Sequence, residues 1–100
     1  MNIERLRKLI DRYSKSEVEN DYESEYFWQE SFKILSGNLS ETIEYLDNII
    51  PEDLEYICSI FDDLSEHFQS VELIECMERN ATRTGVDCAV DIEYAKKALE

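Results

Sequence analysis

Pro51–Gln69, with the sequence PEDLEYICSIFDDLSEHFQ, provides the strongest structural signal in the chain. Its apolar residues recur at steps of three and four, which is typical of an amphipathic helix that buries one stripe. Pro51 suits the first helical position, where its missing N–H costs nothing, and acids in the first turn favour the helix dipole. The segment therefore predicts one long core helix, whose buried stripe comprises Leu54, Ile57, Cys58, Phe61, Leu64 and Phe68.

The remainder of the chain also favours an all-α fold. One hundred residues suffice for one core, and two glycines and one proline leave little material for sheet turns. We expect a single α-helical domain over residues 1–100, with about six helices stacked as antiparallel hairpins. Besides the core helix, the pattern predicts helices over residues 2–15, 22–36 (ended by Gly37), 38–48 (capped by Asn38 or Ser40), 71–79 (capped by Ser70) and 91–99, with a break at 80–87.

A weak internal echo suggests how these helices stack. Glu25-Tyr26 with Phe32-x-x-Leu35-Ser36 recurs about 30 residues later as Glu55-Tyr56 with Phe61-x-x-Leu64-Ser65. Two such hairpins would stack as in HEAT or armadillo repeats. The alternative is an irregular bundle whose amphipathic helices are similar only because their compositions are similar.

Charge is distributed very unevenly along the chain. Residues 1–15 carry five basic and two acidic residues, whereas the other 85 carry five basic and 22 acidic residues, for a net charge of −14. Such an excess repels phosphates and membrane headgroups and attracts basic proteins. We therefore expect a basic protein partner, with no direct binding to nucleic acid or to a membrane.

The sequence indicates a cytoplasmic location. No segment reaches the roughly 18 apolar residues of a membrane span, and the charged N-terminus lacks the apolar region of a secretory signal. Three cysteines without a CxxC pair suggest neither a disulfide framework nor a zinc site.

No catalytic motif is evident. His67, with Asp63 one turn before it, is the only histidine, and it has no HExxH or ExxH context that would predict a metal site. Adjacent acids such as Asp62-Asp63 point to different faces of a helix, which disfavours a carboxylate dyad. We expect no enzymatic activity, no catalytic residues, no metal and no cofactor.

The acidic residues and the aromatic residues are the candidates for a binding face. Tyrosine is enriched in binding hot spots, and complementary charge speeds encounter. Trp28 and Tyr45 are further candidate anchors, although some aromatic residues must belong to the core and the acids could serve solubility alone. The predicted partner contacts are Glu19, Asp21, Tyr22, Glu23, Tyr26, Glu52, Glu55, Tyr56, Asp62, Asp63 and Glu66.

Landmarks spread over about 70 of the 100 residues add a resemblance. They are Trp28, Ser31-Phe32, Pro51-Glu52-x-Leu54, Phe61-x-Asp63-Leu64-Ser65, Phe68-Gln69-Ser70 and Asp91-Ile92-Glu93-x-Ala95. In these landmarks the chain resembles small acidic immunity proteins of bacterial polymorphic-toxin systems, above all helical immunity proteins of contact-dependent growth inhibition.

The resemblance implies an immunity protein that binds a cognate toxin, often a nuclease, and covers its basic active-site cleft with acidic side chains. Binding away from the active site is also compatible with it. Two alternatives stay open: a helical adaptor module whose acids confer only solubility, and an acidic nucleic-acid mimic that regulates a host DNA-binding protein.

Overall fold

Seven α-helices and one 3₁₀-helix make up the computed structural model, which describes residues 1–17 and 20–100. Val18 and Glu19 lie outside the described residues. Glu19 is one of the predicted partner contacts, so its position is not described. The described residues contain no β-strand, so the all-α prediction is confirmed. The elements are α1 (Ile3–Ser14), α2 (Asp21–Leu35), α3 (Leu39–Asn48), α4 (Pro51–Ile57), the 3₁₀-helix (Cys58–Ile60), α5 (Phe61–Phe68), α6 (Val71–Thr84) and α7 (Ala89–Lys97).

The predicted long core helix is wrong in one respect, because the 3₁₀-helix divides it into α4 and α5. At the division, the Cys58 thiol donates to the Glu55 carbonyl at 3.4 Å and the Ser59 hydroxyl donates to the Tyr56 carbonyl at 2.7 Å. Side chains that bond carbonyls three residues earlier compete with the α-helical ladder and favour the tighter turn. The predicted stripe is otherwise buried, with Phe68 half-buried, and Ile60 joins it.

Two helix starts follow their predicted caps. The Asn38 side chain accepts from the Glu41 N–H at 3.0 Å, and the Ser70 hydroxyl accepts from the Leu73 N–H at 3.2 Å. Both caps satisfy an N–H group that the helix itself leaves without a partner. These interactions span three residues, which is why the local sequence could predict them.

Helix ends were predicted less well. Helix α6 does not stop at Arg79 but continues to Thr84, and Gly85 then takes the left-handed conformation with φ of 78°. Gly37 follows the C-cap Ser36 of α2, as predicted, although the described residues with positive φ are only Gln69 and Gly85. Helix α7 begins at Ala89, before the expected residue 91.

The core is shared by all the helices. Helix α2 packs against α1 and α5, α3 packs against α6, and α7 packs against α5 and α6. The two hairpins of the sequence echo, α2–α3 and α4–α6, therefore lie side by side, with α1 and α7 packed around them. Ile3 and Ile50 are exposed, whereas Ile49 is buried. No helix in the described part of the chain is long and apolar enough to cross a bilayer.

Candidate functional site

The predicted partner contacts that belong to the described residues fall into three regions of the surface. The α1–α2 seam, between those helices, contains Arg5, Arg12, Glu23, Tyr26 and Glu30, with Asp21 and Tyr22 at its end. The α1–α4 cleft contains Arg7, Lys8, Glu52, Glu55 and Tyr56. The α2–α5 groove contains Glu25, Trp28, Gln29, Phe32, Asp63, Glu66 and His67. Asp62 directly precedes Asp63 in the sequence.

Arg12 occupies the centre of the seam. Its guanidinium donates two hydrogen bonds to the Glu23 carboxylate, at 2.9 and 3.0 Å. The same guanidinium lies over the Tyr26 ring, 4.3 Å from the ring centroid. A planar guanidinium can fork onto a carboxylate and stack on an aromatic ring together, so Arg12 engages both side chains inside the molecule.

A second cation completes the seam. The Arg5 guanidinium donates to the Tyr26 hydroxyl at 3.2 Å and to Glu30 at 3.3 Å, and Lys33 also donates to Glu30 at 2.7 Å. The hydrogen bond from Lys33, with a smaller contribution from Arg5, lowers the pKa of Glu30. Tyr22 stacks on Tyr26 but remains 67% exposed. The basic face of α1 therefore neutralises acids of α2.

The α1–α4 cleft has mixed charge. Glu52 lies there beside Arg7 and Lys8 of the first helix. Tyr56 is half-buried, and its ring meets the edge of the Tyr13 ring at a centroid distance of 5.9 Å. Negative charge in this cleft is thus partly offset by cations of the same chain.

The α2–α5 groove is different in charge. It encloses about 640 Å³ between the exposed side of α2 and that of α5. Among the residues that the structure describes, none of those lining the groove is lysine or arginine. Its three carboxylates are Glu25, Asp63 and Glu66, and the other lining residues are Trp28, Gln29, Phe32 and His67.

Trp28 is held in this groove by its polar edge. Its indole N–H donates to the Ser59 hydroxyl at 3.0 Å, and that hydroxyl donates in turn to the Tyr56 carbonyl. Ser59 belongs to the 3₁₀-helix, so the interruption of the core helix fixes the tryptophan. The side chain is still 40% exposed.

His67 is fixed by contacts within the fold. Its Nε2–H donates to the Ser36 carbonyl at 3.0 Å, and its ring lies edge-on to Phe32 and Phe68. The imidazole therefore connects the end of α2 to α5. Residues 1–17 and 20–100 contain no group of three His, Cys, Asp or Glu side chains placed to hold a metal ion.

Like charges meet in the groove. The pKa of Asp63 is raised, chiefly because the carboxylate loses part of its hydration and further because Asp62 and Glu66 lie close by. An added cation would relieve this repulsion. The groove is therefore a place where positive charge is favourable.

Among the described residues that line the groove, five were not predicted partner contacts, although Trp28 was a candidate anchor. They are Glu25, Trp28, Gln29, Phe32 and His67. The spacing of Glu25 and Trp28, three residues apart on one helix, was a usable signal because it places a carboxylate beside an aromatic ring. Comparisons of the chain with protein-family models, with curated proteins and with solved structures gave no match.

Proposed function

We propose that this chain is an immunity protein that binds a basic toxin domain in the cytoplasm and neutralises it stoichiometrically, without turnover. The observation that carries the proposal is the α2–α5 groove, whose three carboxylates and half-exposed Trp28 have no lysine or arginine among the described lining residues. Complementary charge accelerates association, and aromatic residues often dominate binding energy.

A nuclease fits this proposal best as the toxin. Nucleases bind phosphates through lysine and arginine, and carboxylates can take the place of the phosphates. The net charge of −14 strengthens such an encounter at long range. The resemblance to immunity proteins of contact-dependent growth inhibition supports the same partner class.

The proposal is tested by co-expressing the tagged protein with the coding region immediately upstream of its gene. We expect a one-to-one complex with a basic domain that stops growth when it is expressed alone. Growth should be restored when both are present. Absence of any complex, with no toxicity from the neighbour, would favour the adaptor alternative, and capture of a host DNA-binding protein would favour the nucleic-acid mimic.

Two matched variants locate the binding surface. The groove variant carries Glu25→Gln, Asp63→Asn and Glu66→Gln, and the control variant carries Glu44→Gln, Glu72→Gln and Glu75→Gln on exposed positions of α3 and α6. Both remove three negative charges. Only the groove variant is expected to lose the complex and the protection of growth.

A further inference from the structure

Helix α2 carries two glutamate–aromatic pairs with the same spacing of three residues. Glu23 and Tyr26 lie in the α1–α2 seam, and Glu25 and Trp28 line the α2–α5 groove. In the seam, Arg12 forks onto the glutamate and lies 4.3 Å above the ring centroid. The seam thus displays, within this molecule, how such a pair holds a guanidinium.

We infer that the α2–α5 groove binds the guanidinium of an arginine on a basic protein partner, stacked on Trp28 and hydrogen-bonded to the groove carboxylates. This inference rests on the proposed function and specifies the contact through which the partner binds.

The groove is better equipped for a cation than the seam. Tryptophan attracts cations more strongly than tyrosine does, and Asp63 and Glu66 of α5 add two carboxylates to Glu25. The indole N–H is already bonded to Ser59, so the groove offers the ring itself for stacking. The volume of about 640 Å³ accommodates a long side chain.

The cation has to come from another molecule. Lys33, the basic residue of α2, pairs with Glu30 at 2.7 Å, and Arg5 and Arg12 of α1 bond in the seam. Arginine suits the groove better than lysine because its planar, weakly hydrated head can stack and fork at the same time. A lysine would supply only a point charge.

The single tryptophan of the chain makes the test specific, because the indole N–H of Trp28 gives one cross-peak in a ¹H–¹⁵N correlation spectrum. The protein is titrated at low salt with the blocked tripeptide acetyl-Gly-Arg-Gly-amide. Matched peptides carry lysine or the neutral arginine analogue citrulline. Circular dichroism checks that each variant stays helical.

The arginine peptide should shift the indole peak saturably. Its apparent affinity should fall at least about fivefold, or about 1 kcal/mol, in the groove variant and less than about twofold in the control variant. The lysine peptide should bind at least about threefold more weakly, and citrulline should cause no saturable shift. No saturable shift with arginine, equal binding of lysine, or equal loss in both variants would overturn the inference.

These results separate the inference from the proposed function. If the wild-type protein protects cells and the groove variant protects them equally well, the arginine site is wrong and the immunity role stands. If the wild-type protein binds no toxin but the arginine peptide still shifts the indole peak, the site stands and the immunity role is wrong.

Discussion

The two glutamate–aromatic pairs of α2 differ in what balances their charge. Glu23 and Tyr26 hold Arg12 of the same chain, whereas Glu25 and Trp28 face Asp63 of α5, another acid. The α1–α2 seam therefore stabilises the fold, and the α2–α5 groove accumulates negative charge that binding can relieve. The charge balance of the same local sequence pattern therefore depends on the helix that packs against it.

Removing the Phe61 side chain should destabilise the whole domain, and with it both the seam and the groove. Phe61 is buried at the start of α5, the helix that forms one wall of the groove. Phe61→Ala should lower the free energy of unfolding by about 3–5 kcal/mol, because it leaves a cavity in the core. Urea denaturation measures the loss, and Val71→Ala, at a position 62% exposed, serves as control. A loss below that of the control would mean that the core is wrongly described.

Asp47, like Glu23 in the seam, is a carboxylate that is paired within the molecule. It accepts from Arg79 at 2.8 and 2.9 Å and from the buried Asn80 at 2.7 Å. Asp47→Ala should cost about 1–2 kcal/mol, because one N–H of Asn80 would lose its partner in the interior. Thermal denaturation of Asp47→Ala and Asp47→Asn checks this, since the asparagine keeps an acceptor oxygen. Equal stability of the wild type and the alanine variant would contradict it.

The ionisation of Asp47 should make the free energy of unfolding sensitive to acid. The hydrogen bonds, chiefly that from Arg79, lower the pKa of Asp47 from 3.8 to about 2. The folded state therefore binds a proton at Asp47 less tightly than the unfolded state does. The stabilisation from the charged carboxylate is complete above about pH 4 and is lost as the pH falls toward about 2. The difference in stability between the wild type and Asp47→Asn should shrink across that interval. A constant difference would contradict the assignment.

A cation added to the α2–α5 groove should pair with its carboxylates, as Arg12 pairs with Glu23 in the α1–α2 seam. Gln29→Arg places a base in the groove, four residues after Glu25, and should raise stability by about 0.3 kcal/mol. The same change should weaken arginine-peptide binding at least about fivefold, or about 1 kcal/mol. Thr82→Arg is the control, because it lies four residues after Glu78 on α6 and outside the groove. Equal peptide binding by both variants would count against the groove.

Asp63 should respond to neutralisation in the opposite direction from Asp47. Asp63→Asn removes like-charge repulsion in the groove and should raise the free energy of unfolding by about 0.3 kcal/mol at pH 7. Because the folded-state pKa of Asp63 is raised above 3.8, this gain should disappear as the pH falls through that pKa. Carboxyl-detected NMR titration measures the pKa directly, and a value at or below 3.8 would contradict the description of the groove.

Local signals in the sequence were sufficient for much of the fold. Pro51, Asn38 and Ser70 each act within one helical turn, so the starts of α4, α3 and α6 could be predicted. The continuation of α6 beyond Arg79 could not, because Asn80 is buried by a contact with Asp47, 33 residues away. The 3₁₀-helix was missed because Cys58 fits the buried stripe of an α-helix and Ser59 fits its exposed side, so the helical periodicity continues through both residues.

The candidate site was predictable only in character. Acids and aromatic residues were predicted to be the binding elements, but periodicity does not reveal which acid meets a base from another helix. Arg12 engages Glu23 across 11 residues and Arg5 engages Glu30 across 25, so the internal use of these charges appears only in the tertiary structure. Likewise, only the tertiary structure brings Glu25 and Trp28 of α2 together with Asp63 of α5 in one groove.

In the proposed complex, the groove carboxylates, and not the total negative charge, bind the partner. The decisive measurement is the affinity of the co-expressed partner domain for the wild type, the groove variant and the control variant over a range of salt concentrations. We expect at least about a tenfold loss of affinity, or about 1.4 kcal/mol, for the groove variant with a weaker salt dependence, and less than about a twofold loss for the control variant. Equal affinities for the two variants would contradict it.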